Sequence, residues 1–241
     1  MRSSLNLLLA YVIFILCFVF SNSLTAQNLN KIIGTIFQNA SIEMDESQKA
    51  PVEIRFNDNQ KVTVLTFFEQ YRKAFAWSED NQAISFKEIR DDLGQTHYRF
   101  KQYYKGIEVS EVQYLLHEEE GVIKYANGKL IHGLNHDVTP ILSEEQALQK
   151  ALDHIGAASY MWENEKNEAF LKKNENRSTA TYYPAGVLKI SAGLQEHLAE
   201  NFRLVYRFDI FAERPMSRNY VDVDAKTGEI VGVLPLMYND D

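Results

Sequence analysis

The stretch Gln95-Thr96-His97-Tyr98-Arg99-Phe100-Lys101-Gln102-Tyr103-Tyr104 alternates with a period of two. Tyr98, Phe100 and Tyr104 fall on one side and His97, Arg99, Lys101 and Tyr103 on the other, the pattern of a strand with one face buried. Gly94 and Gly106 flank it, where tight reversals favour a residue free to take positive φ, so a hairpin is expected at each end. In the following strand Ile107 and Val109 share one phase, whereas Val112, Tyr114 and Leu116 share the other. One extra residue near Ser110 and Glu111 restores the apolar face and predicts a β-bulge. Glu120-Gly121 and Asn127-Gly128 are further turn signals, the second favouring a type I′ hairpin. Residues 82 to 133 thus read as an antiparallel meander.

Ahead of the meander, Thr66-Phe67-Phe68-Glu69 has the form of a capping box. Phe67, Phe68, Tyr71, Ala74 and Phe75 then recur at helical spacing, predicting a short amphipathic helix. The order starts again after Pro140. Ser143-x-x-Gln146 repeats the box, and Ala147, Leu148, Ala151, Leu152 and Ile155 trace a helix face that ends at Gly156. Met161 to Arg177 is polar and reads as a solvated loop or frayed helix. Alternation resumes with Leu204, Tyr206, Phe208 and Ile210, and two further strands flank the turn Ala225-Lys226-Thr227-Gly228. The halves Tyr98 to Lys129 and Tyr206 to Val233 share a strand order. The expected class is α+β: two tandem units, each a helix packed on a short antiparallel sheet, with a boundary between His132 and Thr139.

The N-terminus decides where the chain goes. Arg2 precedes an uncharged apolar run from Leu7 to Phe20, and Ser21 to Ala26 ends in Leu24-Thr25-Ala26. This is the layout of an export signal cleaved between Ala26 and Gln27 rather than of an uncleaved anchor. The expected location is outside the cytoplasm, secreted or in the cell envelope. Cleavage removes Cys17, the one cysteine, so the mature chain is held by packing and not by an internal disulfide. Formal net charge is -8. Nucleic-acid binding wants a basic stripe and is not expected, and the membrane matters only during export.

The constellations that catalysis needs are missing. No H-E-x-x-H occurs, since His117-Glu118 is followed by Gly121 where a second imidazole belongs. His132 and His136 are spaced by four but are separated by Gly133 and Asn135, which read as loop. There is no G-x-S-x-G elbow, and Glu118, Glu119 and Glu120 read as a solvated turn. Asp222-x-Asp224 begins like a calcium loop, but Lys226 replaces the third ligand and Val233 the closing Glu. No catalytic residue, metal ligand or cofactor is expected in the chain. The stripe His97, Arg99, Lys101 and Tyr103 is left as a basic and aromatic candidate contact face, against the alternative of cross-strand pairing to Glu108 or Glu111.

From Asp92 to Val109, and on to Gly121 and Asn127-Gly128, the sequence resembles the fungalysin/thermolysin propeptide (FTP) module. Gly94, Thr96, His97, Gln102, Tyr104, Gly106, Ile107 and Val109 occupy its pattern. Leu142 to Ala147 and Tyr220 to Val231, with Asp222, Asp224 and Gly228, resemble the PepSY module. The resemblance implies cystatin-like units: a signal peptide at 1–26, an FTP-like domain at 27–135, a PepSY-like domain at 136–234 and a tail or connector at 235–241. It also implies a pro-region that chaperones and temporarily inhibits a thermolysin-like or fungalysin-like secreted zinc metalloprotease, in cis or in trans. Zinc and calcium are then expected only in the catalytic domain, and the chain itself is expected not to be an enzyme. A stand-alone protease inhibitor and a cell-envelope binding module are the alternatives.

Overall fold

The computed structural model describes residues 40–45, 50–57 and 61–237. The expected signal segment, its Ala26–Gln27 cleavage point and the end of the tail from 238 lie outside them. Two antiparallel hairpin systems share one long strand. The first runs β1 (Ala40–Asp45), β2 (Ala50–Phe56), α1 (Phe67–Tyr71), β3 (Asn81–Arg90), β4 (Thr96–Tyr104), β5 (Ile107–Glu119) and β6 (Val122–Gly128). The second runs α2 (Glu144–Ile155), β7 (Ser159–Tyr160), α3 (Glu165–Asn174), β8 (Val187–Ser191), β9 (Arg203–Arg214), β10 (Ser217–Asp224) and β11 (Ile230–Pro235). The chain is mixed helix and sheet, with sheet predominating.

The hydrogen-bonded order is β1-β2-β6-β5-β8-β9-β10-β11, with β4 on the other edge of β5, β3 outside β4, and β7 on β9. The expected bulge is what joins the two halves. Lys101 pairs with Gln113 and Tyr103 with Glu108, so the segment Val109 to Val112 is thrown out of register opposite Gln102, with Glu111 at φ +61°. The excursion is larger than one residue because this segment has a second partner: Val109 pairs in parallel with Ile190 of β8.

Three apolar clusters follow from this layout. In the first, Phe67, Tyr71, Phe75 and Trp77 from α1 and the turns after it pack on Phe100, Tyr114, Leu116 and Ile123. In the second, Ala147, Leu148 and Ala151 of α2 cover Tyr206, Phe208, Ile210, Val221 and Val223. The third sits where the units meet, and joins Tyr104, Val109, Val112, Ile131 and Leu134 to Ile190, Ala192 and Phe202.

Three local expectations are corrected. Asn127-Gly128 is not a hairpin turn: both residues end β6, and the β5–β6 reversal is Glu120-Gly121, at φ +53° and +81°. Gly128 is needed there for a different reason. At φ +136°, a Cβ on it would clash with the Gln113 carbonyl oxygen, so only glycine lets β5 pass so close. Thr66 has helical φ/ψ and makes no side-chain cap bond, because its hydroxyl turns back to Thr63. Pro235 has not left the sheet, and still pairs with Asn219. By contrast, Ser143 and Gln146 form the reciprocal box, and Gly156 closes α2 in the left-handed region with its N–H on Leu152. The polar run after Met161 folds into α3, a surface helix with no buried residue.

Candidate docking face

Alternation on β4 sends Tyr98, Phe100 and Tyr104 into the cores and His97, Arg99, Lys101 and Tyr103 to the opposite face. Both covering helices lie on the core faces, since α1 packs against Phe100 and α2 against Tyr206 and Phe208. The other face of the two sheets is uncovered by them. It carries the exposed Ile84, Phe86 and Ile89 of β3 and the four-residue stripe of β4. It continues past β5 into Val187 and Lys189 of β8, Arg207 and Asp209 of β9, and Tyr220 of β10. These last residues, with Lys101, Glu108 and Ala185, line a cavity of about 470 Å³.

The stripe is one surface but not four equivalent side chains. Lys101 pairs with Glu108 at 3.0 Å, the cross-strand alternative foreseen for it, and also lies over the Phe86 ring, 5.2 Å from its centre. Glu108 takes a second cation, Lys189 of the other unit, at 2.7 Å. Burial pushes the Glu108 carboxyl up, but the bonds from Lys189 and Lys101 more than reverse this and hold it below the usual carboxylate range. His97 contacts Asp91 and His117. Among the described residues Arg99 makes no ion pair or side-chain hydrogen bond. Like Lys87, opposite it on β3, it is therefore a cation left available to a partner.

The remaining motif positions are internal. Gln102, fully buried, donates to Ile131 O at 2.6 Å and Asn81 Oδ1 at 2.9 Å and accepts from Ile131 N–H at 2.8 Å, pinning the inter-unit segment to β4. Truncation by Gln102→Ala strands the buried Ile131 N–H and Asn81 Oδ1, while Ile131 O keeps the Trp77 indole N–H, and is expected to cost about 2–4 kcal/mol, read as a lower urea midpoint. Thr96 and Tyr104 are buried, and Gly94 and Gly106 take the positive φ of their turns. Asp224 Oδ1 accepts from Lys226 N–H and Thr227 N–H and fixes the turn that Gly228 completes.

Asp222 is fully buried in an ion network that spacing alone did not suggest. Its two oxygens take a bidentate grip from Arg207, each at 2.7 Å, and Ser191 donates to Oδ2 at 2.7 Å. Arg207 reaches back across the junction to Glu111 on the bulge, also at 2.7 Å. Burial works against the Arg207 charge, but these carboxylates more than compensate and raise its pKa. Among the described residues no cluster of three metal-binding side chains is present.

Two family models divide this architecture. Residues 86–130, which hold the stripe and the bulge, match the Fungalysin/Thermolysin Propeptide Motif, and residues 141–234, which hold α2 and β8–β11, match the Peptidase propeptide and YPEB domain. Residues 86–234 carry a thermolysin-like propeptide region. The chain is 28% identical over 176 residues to Bacillolysin of Bacillus amyloliquefaciens, a match covering 70% of this chain and 30% of that protein. The chain thus spans less than a third of the relative it matches. A structural comparison aligns it with the Bacillus megaterium YpeB C-terminal domain at TM-score 0.35 and 13% identity, covering 89% of this chain and 97% of the other. Within the propeptide region, the Arg207–Glu111 pair fastens the two modules to each other and the Gln102 clamp ties the segment between them to β4, whereas the stripe faces outward.

Proposed function

We propose that the chain is an exported propeptide-type partner of a thermolysin-like zinc protease, which it helps to fold and holds inactive until it is removed. It performs no hydrolysis itself. The observation that carries this reading is the tandem of two propeptide modules fastened to each other through Glu111, Arg207 and Asp222, with a broad outer sheet face left uncovered by either helix. We read both helix-on-sheet units as cystatin-like, with the module boundary near 135. A rigid tandem offers a preformed template at little ordering cost, which is what both a folding assistant and a tight inhibitor require. Arg99 and Lys101 steer the encounter with an acidic patch, while Phe86, Tyr103 and Ile84 supply apolar contact.

The test is to titrate the mature full-length chain against a zinc-loaded thermolysin-like catalytic domain while following peptide hydrolysis and refolding yield. Saturable inhibition that fades as the chain is digested supports the reading. In the same assay Arg99→Glu is expected to raise the inhibition constant roughly tenfold, equal to about 1.4 kcal/mol. The absence of both inhibition and improved refolding would overturn the proposal and favour the envelope-binding alternative, read as retention on cell-wall material.

A further inference from the structure

Two imidazoles meet on the outer face in a geometry that fixes their proton count. His97 and His117 are directly opposite each other on β4 and β5, and their Nδ1 atoms are 2.7 Å apart. At that distance one nitrogen donates and the other accepts, so a single proton lies between the rings. The outer nitrogens are also engaged. His97 Nε2 is 3.2 Å from Asp91 Oδ2 and must donate to it, and His117 Nε2 is 2.8 Å from Asn127 Oδ1. With both Nε2 atoms protonated and one proton shared, the pair carries one positive charge, balanced by Asp91. Turning the Asn127 amide end for end removes that charge but leaves the same single proton between the rings.

We propose that this pair is an acid-sensitive latch: a second proton between the rings sets two N–H groups head to head and parts β4 from β5 on the outer face. The surroundings resist that proton. Arg99 lies two residues along the same face of β4, and Tyr125 of β6 packs on His117 with ring centres 5.0 Å apart. Tyr125 is itself held by Glu53 at 2.8 Å and capped by Arg55 from β2. From β3 the residue opposite His97 is the uncharged Ile89. Burial, and then the charges of His97 and Arg99, lower the His117 pKa against the opposing pull of Asn127. Asp91 is the anion bonded to the pair, and its other oxygen, Oδ1, accepts from Leu93 N–H and Gln95 N–H, so the latch is tied to the β3–β4 turn.

The sign follows from the depressed His117. The unfolded chain binds more protons than the folded one as pH falls below the ordinary histidine value. The stability that His117 contributes is therefore fully present above that value and is lost as pH drops through it toward the folded pKa. Because His97 lies in the proposed docking face, acid is also expected to weaken docking, a consequence that rests on the reading above.

The experiment is ¹⁵N NMR of the imidazoles in the full chain, with melting temperature followed from about pH 7.5 to 5. The latch predicts one shared Nδ1 proton at the upper end, coupled titration of the two rings, a lower melting temperature in acid, and a flatter profile for His117→Gln. Independent titration of both rings near the ordinary value would overturn it. So would a His117→Gln profile parallel to wild type. Absent inhibition at every pH with the NMR signature intact would defeat the docking reading and leave the latch standing.

Discussion

Replacing Arg207 by Met is expected to cost about 3–5 kcal/mol and lower the melting temperature by roughly 10 °C. The reason is what remains. Asp222 is fully buried, and without the guanidinium its carboxylate keeps Ser191 as its one side-chain donor. Glu111 on the bulge loses its partner as well, so the two modules lose a fastener together. A pair such as this is not itself a large source of stability, because removing both charges from water costs much of what their attraction returns. The double change Arg207→Met with Asp222→Leu is therefore expected to be less damaging than Arg207→Met alone. Urea unfolding of wild type, both single variants and the double variant closes the cycle, and additive losses would contradict it.

Phe67→Ala should be comparably severe, at about 3–5 kcal/mol, because it empties the centre of the first core. Phe67 is fully buried and its ring lies 5.0–6.2 Å from the rings of Phe68, Tyr71, Tyr114, Phe75 and Phe56. The five-residue α1 cannot stand alone at that length, so its position depends on this packing. The loss should register first as tryptophan fluorescence, since Trp77 stacks on Phe68 and donates its indole N–H to Ile131 O. A loss under about 1 kcal/mol would mean that the core collapses into the space, contrary to the close packing seen around the ring.

The strongest periodic signals in the sequence were reliable where burial enforces them. On β4 the two-residue period separated core from outer face correctly because a one-residue slip would bury Arg99 and Lys101. The bulge was legible as a change of phase at Ser110 and Glu111. Its size was not, because it depends on β8, some 80 residues away, through the parallel pairing of Val109 and Ile190. Asn127-Gly128 misled because a local turn preference and a demand for close backbone approach select the same residue. Thr66 misled because its hydroxyl found a nearer partner in Thr63. The β1–β2 pair was not read from the sequence, although Ile54 and Phe56 of β2 alternate into the first core.

The outer face was half readable for the same physical reason. His97, Arg99, Lys101 and Tyr103 announce themselves because they share one strand. Spacing cannot tell that Lys189, Arg207 and Tyr220 extend the surface, or that His117 meets His97, since both facts arise from strand register across sequence-distant segments.

The most direct test is side-chain oxidative footprinting of the full chain alone and bound to a catalytically silenced thermolysin-like domain. Docking through the outer face predicts that Phe86, Tyr103 and Tyr220 lose reactivity together while Phe170, exposed on α3, is unchanged. Protection of Phe170 with Phe86 and Tyr103 still reactive would place the partner elsewhere and contradict the assignment.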